Sequence, residues 1–421
     1  MKKTILIFAC ILCTFTLSAQ LTIEECQQKA RVNFPLIKQQ DLIAQTEKYN
    51  LSNAARGYLP QVSLAGKATW QSDVTKLDVP APYNQILNVE PMSKDQYQAA
   101  LEVNQLVYDG GIIRSQRKTA KAAAEMQRQK NEVDLYAVQE RVTQVFFGIL
   151  LIDEQWKQND LLREELQTNY DKVSAYIKNG VANQADLDAV RVEQLRCRQR
   201  ETELNALRKS YAAILLTLMG ERPDENISLV KPDYQKEVIT TENNRPELKF
   251  FEAQQLLYDT QMRNIKSANL PIVSLFAQGG YGKPALNMLE NKFSPFFIGG
   301  VRLMWNLSGF YTQKNNLQLL ETEKQSVSVQ RETFLFNSNL KNIEQQNLID
   351  KFEVQLADDD EIIALRQNVK KATEAKVANG TLTVSDLIHE INAENLSRQD
   401  KVLHEIQLLI AIYQLKLINN E

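Results

Sequence analysis

Residues 59–64, Leu-Pro-Gln-Val-Ser-Leu, return later in the chain as residues 270–275, Leu-Pro-Ile-Val-Ser-Leu. Residues 33–38, Asn-Phe-Pro-Leu-Ile-Lys, return in the same way as residues 244–249, Asn-Arg-Pro-Glu-Leu-Lys, and the separation between the copies is the same for both motifs. Chance matches do not keep a constant separation, so the chain contains an internal duplication.

Each repeat has the pattern of a helix, two strands joined by a loop, a very long helix, a turn and a shorter helix. We predict a first repeat over 20–219, an inter-repeat linker over 220–244 that lies against the middle of the helical part, and a second repeat over 245–421. The predicted strands span 60–72, 96–108, 271–281 and 296–307, and the helices that follow them span 110–178, 184–219, 310–378 and 384–419. The first helix is predicted from Leu21 to about Arg56, with Thr22 and Glu25 spaced as a capping box.

The four predicted strands alternate between apolar and polar residues, which indicates one apolar face. Aromatic residues stand near their ends, a pattern typical of strands in a membrane. We predict membrane-interface positions for these five: Trp70, Tyr97, Tyr281, Phe297 and Trp305. The alternative interpretation is a soluble β-sandwich or an edge hairpin.

The two long helices contain no proline, and at 1.5 Å per residue each extends about 100 Å. Their apolar residues recur in alternating steps of four and three, as Val138, Val142, Val145 and Ile149 do. This spacing predicts coiled-coil packing of each long helix against the shorter helix that follows it.

Composition excludes several classes of protein. The 421 residues include only 14 glycines and 11 prolines, two histidines and four cysteines, and the formal net charge is −3. A zinc ribbon or a disulfide scaffold cannot be built from these residues, and the charge argues against a nucleic-acid partner. No catalytic set or phosphate-binding loop is visible, so we predict no enzyme activity, no cofactor and no metal site.

The N-terminus has the pattern of a signal peptide over residues 1–19, since Lys2 and Lys3 precede an apolar run that is too short to span a bilayer. An alternative is a lipoprotein signal that uses Cys10 or Cys13. The other two cysteines, Cys26 and Cys197, either form a bridge or are buried as small apolar side chains.

Four strands cannot close a barrel, because small barrels need about eight strands. An open sheet would leave unpaired backbone groups in lipid, so several copies must share one barrel. Three copies provide twelve strands, and their helices continue from the same rim. The sequence therefore predicts a pipe with one end in a membrane.

The chain resembles the TolC-like outer-membrane efflux and secretion channels over its whole mature length. The matching motifs are Arg56-Gly57-Tyr58-Leu59-Pro60, the segment 106–111 (Leu-Val-Tyr-Asp-Gly-Gly), the two Asn-x-Pro-x-[Ile/Leu]-Lys helix starts and the two Asn-Gly-x5-Asp-Leu turns at 179–187 and 379–387. The resemblance implies a mainly α fold with a membrane β part. It further implies a homotrimer whose twelve-stranded barrel contacts outer-membrane lipid and whose α-barrel lies in the periplasm. A periplasmic adaptor and an inner-membrane transporter are the implied partners.

The resemblance also implies roles for the two turns. They are the periplasmic tips, where the pore narrows and the adaptor binds, and the matching residues are Gly180, Val181, Asp186, Gly380, Thr381 and Leu382. Asp386 matches an aspartate that forms a carboxylate ring at the constriction, where mutual repulsion would raise the apparent pKa. The alternative role for Asp186 and Asp386 is capping of the helix that follows each turn.

The chain departs from the family at three positions of the second turn. His389 replaces a second constriction aspartate, Leu382 replaces an arginine that ties the closed tip together, and Val377 replaces a tyrosine. We hypothesise that His389 makes the charge of the constriction sensitive to pH near 6–7. The alternative is a solvated surface histidine.

These observations predict an outer-membrane channel of a tripartite efflux pump. One alternative is the exit duct of a type I protein secretion system, and another, of a different class, is a periplasmic coiled-coil adaptor. Residues 358–361, Asp-Asp-Asp-Glu, are interpreted either as an exposed helix face or as a cation-attracting belt.

Overall fold

The computed structural model describes residues 20–75, 92–180, 182–223, 227–233 and 243–420. The predicted signal peptide lies outside these ranges. The helices are α1 Ile23–Asn33, α2 Lys38–Ala55, α3 Ile112–Lys178, α4 Gln184–Met219, α5 Pro246–Ala268, α6 Gly309–Ala378 and α7 Val384–Asn419. The strands are β1 Gln61–Trp70, β2 Asp95–Tyr108, β3 Ile272–Lys283 and β4 Ser294–Met304. The predicted fold class, mainly helical with a small β part, is confirmed.

The prediction of one continuous helix from Leu21 to about Arg56 is wrong. The structure breaks it between Asn33 and Lys38, where Pro35 begins a single 3₁₀ turn. Phe34 is extended, with φ −63° and ψ 134°, because the residue before a proline avoids the helical region. The matching Pro246 instead begins α5, where a missing amide hydrogen costs nothing. The predicted capping box of α1 is present, with Thr22 N donating to Glu25 Oε2 at 3.0 Å.

The fourth strand ends at Met304 and not at residue 307. Asn306 Oδ1 accepts hydrogen bonds from the amide and the hydroxyl of Ser308, at 3.2 and 2.6 Å, and these bonds start a turn. Trp305 therefore follows the strand, and its Nε1 donates to the carbonyl of Asn269 at 3.0 Å.

The strands form one antiparallel sheet in the order β1-β2-β3-β4. Leu64 pairs with Leu101, Leu101 with Gly279, and Gly279 with Phe297. Directly paired residues point to the same face of a sheet. Most of the large apolar side chains of the four strands therefore share one face, as the alternation predicted, while Phe276, Phe296 and Ile298 lie on the other face.

Backbone contacts divide the chain into two compact units. Of the residues that the structure describes, those within 20–38, 131–246 and 333–420 form one unit, and those within 39–130 and 247–332 form the other. Both units take segments from both repeats, so the compact units do not follow the duplication. The sheet lies in the second unit, and the two helix turns lie in the first.

The first unit has a core in which α1, α3, α4 and α7 meet. Phe146 and Phe147 of α3 are completely buried there, with Cys26 of α1 and Ile406 of α7. A short parallel bridge between Leu21 and Leu229 attaches the described part of the linker to the N-terminus. By composition α3 contains a stretch that could cross a membrane, but most of that stretch is buried in this core.

Cys26 and Cys197 are free thiols in two different buried clusters. The structure therefore contains no bridge between these two cysteines, and both are buried as small apolar side chains. Burial raises the pKa of the Cys26 thiol to about 12, and the neighbouring glutamates add to this effect.

Candidate functional site

Both Asn-Gly motifs end a long helix in the same way. Gly180 and Gly380 have φ values of 73° and 71°, a left-handed conformation that favours glycine. The Gly380 amide donates to Val377 O at 2.9 Å, and the Thr381 amide donates to Lys376 O at 2.9 Å. This pair of bonds is the Schellman motif, which satisfies the last carbonyls of α6 and reverses the chain.

Each returning helix begins with a capping box that uses the aspartate of the motif. Asn183 Oδ1 accepts from the Asp186 amide at 3.1 Å, and the Asn183 amide donates to Asp186 Oδ2 at 3.0 Å. In the second repeat, the amide and hydroxyl of Thr383 donate to Asp386 Oδ2 at 2.9 and 2.7 Å. The capping alternative is therefore present at both aspartates.

The local bonds also set the charge of Asp386. Hydrogen bonds from the Thr383 hydroxyl and amide lower the pKa of Asp386 below its ordinary 3.8, and His389 contributes in the same direction. The predicted rise of this pKa depends on repulsion between copies, whereas the bonds within one chain favour the charged form. Both Asp386 and His389 are exposed in the single chain.

The two turns lie at the same end of the first unit. Val173 and Val190 from the first repeat pack in one buried cluster with Val377, Val384 and Ile391 from the second. Lys172 Nζ and Glu374 Oε1, one on each long helix, form an ion pair at 2.7 Å. The structure thus brings together the turns that the sequence placed two hundred residues apart.

The tip positions themselves are accessible. Gly180, Gly380 and Thr381 are exposed, Leu382 is 37% exposed and Asp186 is half-buried. Val181 lies outside the described residues. Val377 is buried in the cluster between the repeats, so at this position the chain has an apolar contact in place of a tyrosine hydroxyl.

A buried charge network joins the long helices about three turns from the tip. Lys370 of α6 bonds to Glu165 of α3 and to Glu394 of α7. Arg398 also donates to Glu394 Oε1 from Nε and Nη2, at 3.0 and 2.7 Å. Only the i,i+4 pair Glu394–Arg398 has a sequence signal; Lys370 and Glu165 are far apart in the chain, so sequence analysis missed their contact.

The acidic segment 358–361 is an exposed helix face at three of its four residues, as one of the two interpretations predicted, and the cation-attracting belt stays a prediction. Asp358, Asp360 and Glu361 are exposed, but Asp359 is only 6% exposed and its Oδ2 lies 2.7 Å from His404 Nδ1. This pair joins α6 to α7 beside Phe352, whose ring centroid lies 6.0 Å from that of His404. Four consecutive residues span a full helical turn, so one residue of the run, Asp359, lies on the buried face. The run alone does not indicate that His404 is the partner of Asp359.

The cap of α7 offers a direct test of how the second turn is stabilised. We expect Thr383→Ala to lower the free energy of unfolding by about 1 kcal/mol, because the hydroxyl that accepts from the Asp386 amide is lost. Chemical unfolding followed by circular dichroism measures this change. Ser385→Ala, at an exposed position two residues later, is the matched control. An equal effect of both substitutions contradicts the capping role.

The sheet offers a second candidate surface in the other unit. Its apolar face consists of large side chains that are 48–79% exposed: Val62, Leu64, Trp70, Tyr97, Leu101, Leu275, Tyr281, Phe297, Val301 and Leu303. A soluble protein rarely exposes so extensive an apolar surface. Four of the five aromatic residues predicted for a membrane interface lie on this face, and the fifth, Trp305, follows β4.

The opposite face of the sheet carries charges. Glu102 Oε1 and Arg302 Nη1 lie 2.9 Å apart, and the Arg302 guanidinium lies 4.6 Å from the centroid of the Phe276 ring. Lys67 of β1 points to this charged face as well. It pairs with Gln98, which lies four residues before Glu102 on β2, and residues an even number of positions apart on a strand share a face. A sheet that is apolar on one side and charged on the other fits a wall between lipid and water.

Comparisons with known proteins agree with this geometry. Residues 27–221 match the family model described as outer membrane efflux protein. No curated protein matches the sequence.

Among solved structures, the chain is similar to the outer-membrane channel OprN, with 12% identity, 94% of this chain and 89% of that chain covered and a TM-score of 0.71. VceC, an outer membrane protein of Vibrio cholerae, matches with 10% identity, 94% and 96% coverage and a TM-score of 0.70. The open state of the MtrE outer membrane channel of Neisseria gonorrhoeae matches with 12% identity, 94% and 88% coverage and a TM-score of 0.66.

Proposed function

We propose that this chain, which carries an outer membrane efflux protein domain over residues 27–221 and has the fold of the TolC-like channels, is the outer-membrane channel of a tripartite efflux pump. Three copies form the conduit, and substrates pass through it without chemical change. A periplasmic adaptor and an inner-membrane transporter deliver the substrates. The observation that carries the proposal is the open four-stranded sheet with its exposed apolar face.

The edges of that sheet require neighbours. In the described part of the chain, β1 and β4 each have one neighbouring strand, so each has one unpaired edge. Unpaired backbone groups cost several kcal/mol each in lipid, and only a closed barrel removes them. Two copies provide eight strands, a number whose interior is filled by side chains, whereas three copies leave an open lumen.

The helices of the first unit support the same assembly. One face of α6 packs on α7 through Ile349 and Phe352, while a second apolar stripe on α6 faces outward. This stripe consists of Phe336, Leu340, Ile343, Val354, Ile362, Leu365 and Val369, which are 45–64% exposed. Helix α4 exposes Val192, Leu195, Leu207 and Ile214 opposite its own buried face. In this proposal α6 of one copy packs against α4 of the next, with coiled-coil spacing.

The tip is the entrance of the proposed conduit. Three copies of Asp386 form a carboxylate ring with His389 beside it, and the exposed turns at Gly180, Gly380 and Thr381 receive the adaptor. Leu382 adds an apolar contact at the same turn. The exposure of these residues and the shared end of the two hairpins support this assignment.

Oligomeric state and conductance test the channel. We expect the mature protein in detergent to be a trimer that produces stepwise ion currents in planar bilayers. A monomer that is stable in plain buffer and produces no current contradicts the proposal.

The assignment to a pump has its own test, which is chemical crosslinking in cells from a Thr381→Cys variant. We expect this variant to capture a periplasmic adaptor. Capture of a secreted protein in transit instead indicates a type I secretion duct.

Asp386 provides a separate prediction for the constriction. We expect Asp386→Asn to reduce the preference for cations over anions several-fold, because the ring loses its negative charge. The reversal potential in a salt gradient measures this preference. Asp186→Asn, which changes the equivalent cap in the first repeat, is the control. An unchanged reversal potential assigns Asp386 to capping alone.

His389 is tested in the same bilayers. If its charge controls the constriction, the cation preference of the unmodified channel changes between pH 5 and 8, and His389→Ala removes that change. An identical pH profile for the two proteins assigns His389 to the solvated surface.

A further inference from the structure

The loop between β3 and β4, residues 284–293, exposes large apolar side chains. Leu286, Met288, Leu289 and Phe293 are 56%, 63%, 59% and 49% exposed. Surface loops are usually polar, and a cluster of exposed apolar side chains marks an interaction surface. The loop lies at the end of the sheet where Tyr97 and Tyr281 are located.

Phe293 ties this loop to the apolar face of the sheet. Its ring stacks on Tyr281, with centroids 5.8 Å apart and planes 10° apart, and on Tyr97 at 6.2 Å and 29°. Tyr97 pairs with Lys283 and Tyr281 with Pro295, so the residues on both sides of the loop point to this face. The loop thus continues the apolar face beyond the last paired residues.

The backbone of the loop satisfies part of its own hydrogen bonding. The Leu289 amide donates to Asn287 Oδ1 at 3.1 Å, and the Glu290 amide donates to Asn287 O at 3.3 Å. Asn291 Oδ1 accepts from the Ser93 amide at 3.1 Å and attaches the loop to the segment before β2. A segment that enters a lipid environment must pair its amides internally, and this turn does so for the amides of Leu289 and Glu290.

Charged groups flank the apolar side chains of the loop, and Glu290, which directly follows Leu289, is paired with Lys292. Lys94 Nζ lies 6.0 Å from the centroid of the Trp70 ring, and Lys292 pairs with Glu290 at 2.8 Å. Aromatic rings with lysines beside them are typical of the level of lipid headgroups. The arrangement is that of a short amphipathic anchor.

We propose that the β3–β4 loop is a membrane anchor that lies in the interfacial layer of the outer leaflet, with Leu286, Met288 and Leu289 among the lipid chains. The occupant of this surface is lipid, because the loop continues the apolar face of the sheet through Phe293. This inference rests on the proposed function, which supplies both the lipid at the apolar face and the orientation that puts this end of the sheet in the outer leaflet.

Site-specific fluorescence tests the proposal in the mature protein inserted into phosphatidylcholine–phosphatidylglycerol vesicles. A Leu289→Cys variant carries an environment-sensitive thiol label, while the buried native thiols Cys26 and Cys197 do not compete. Val301→Cys on β4 reports insertion of the sheet, and Thr381→Cys at the tip reports water. Quenching is measured with a nitroxide placed high on the lipid chain and with aqueous iodide.

We expect the label at Leu289 to be quenched by the lipid nitroxide at least about threefold more than the label at Thr381, and by iodide at least about threefold less. Strong iodide quenching at Leu289 together with lipid quenching at Val301 overturns the anchor and leaves the proposed function intact. Shielding from both quenchers also overturns the anchor, because it places the loop against protein. Failure of lipid quenching at Val301 overturns both proposals.

Discussion

Replacing Leu340 and Ile343 together by aspartate is expected to leave the chain monomeric in detergent and to abolish channel currents. The two side chains are 49% and 52% exposed in one chain and lie on the outward apolar stripe of α6. In the proposed trimer that stripe is covered by a neighbour, so each copy would bury two carboxylates without partners. Each such burial costs several kcal/mol, and the cost recurs at all three interfaces.

Light scattering of the purified variant measures its mass, and planar bilayers measure its conductance. The control is Asn337→Asp together with Lys341→Asp, since both residues are exposed and polar on the same stretch of α6. Far-ultraviolet circular dichroism distinguishes loss of assembly from loss of folding. A trimeric double aspartate variant with normal currents shows that the stripe does not face another copy.

Lys370→Met is expected to destabilise the first unit by about 3–5 kcal/mol, the usual cost of breaking a buried ion pair. Glu394 has a side chain only 4% exposed, and it loses one of its two cationic partners. We expect Glu394→Gln in the Lys370→Met background to restore part of the loss, because it removes the uncompensated charge. Denaturant unfolding of the two variants and of the unmodified protein measures these differences.

Lys371→Met is the matched control, because Lys371 is the exposed neighbour on the same helix. A Lys370→Met variant that is no less stable than this control contradicts a stabilising network. A destabilised variant that Glu394→Gln does not rescue shows that Lys370 acts through packing and not through charge.

The pH dependence of the same network has a definite sign. Burial raises the pKa of Glu394, but hydrogen bonds from Lys370 and Arg398 outweigh it, and the net effect is a pKa below the ordinary 4.5. The stability that Glu394 contributes is therefore complete above pH 4.5 and is lost as the pH falls through the lowered value. Lys370 has a raised pKa for the same reason, since its bonds to Glu165 and Glu394 outweigh burial. Its contribution is complete below pH 10.5 and is lost above the raised value.

The parts of the fold that the sequence predicts are those with a local cause. Alternation such as Val62, Leu64 and Trp70 identifies a strand, and Asn-Gly followed by a capping box identifies a turn, because neighbouring residues determine both. The end of β4 was misplaced because Asn306 competes with the strand through a side-chain bond. The break at Pro35 is not evident from the sequence, because the same motif starts a helix directly at Pro246.

The parts that the sequence does not predict depend on distant partners. Nothing near Lys370 indicates that it meets Glu165, and nothing near Asp359 indicates His404. Such contacts arise only when α3, α6 and α7 are already packed, so no window along the chain contains them. The residues of the tip were found through motifs, and their functional roles stay predictions.

The core of the first unit joins α1 to α7, two helices that are far apart in the chain. Ile23 and Cys26 pack in the same cluster as Ile406 and Leu409, and the Tyr413 hydroxyl donates to Glu24 Oε1 at 3.1 Å. Contacts of such high sequence separation close large loops, and they slow folding. A nascent chain cannot complete this core until α7 has been synthesised. Until then the apolar side chains that α1, α3 and α4 contribute to this cluster lack their contacts with Ile406 and Leu409.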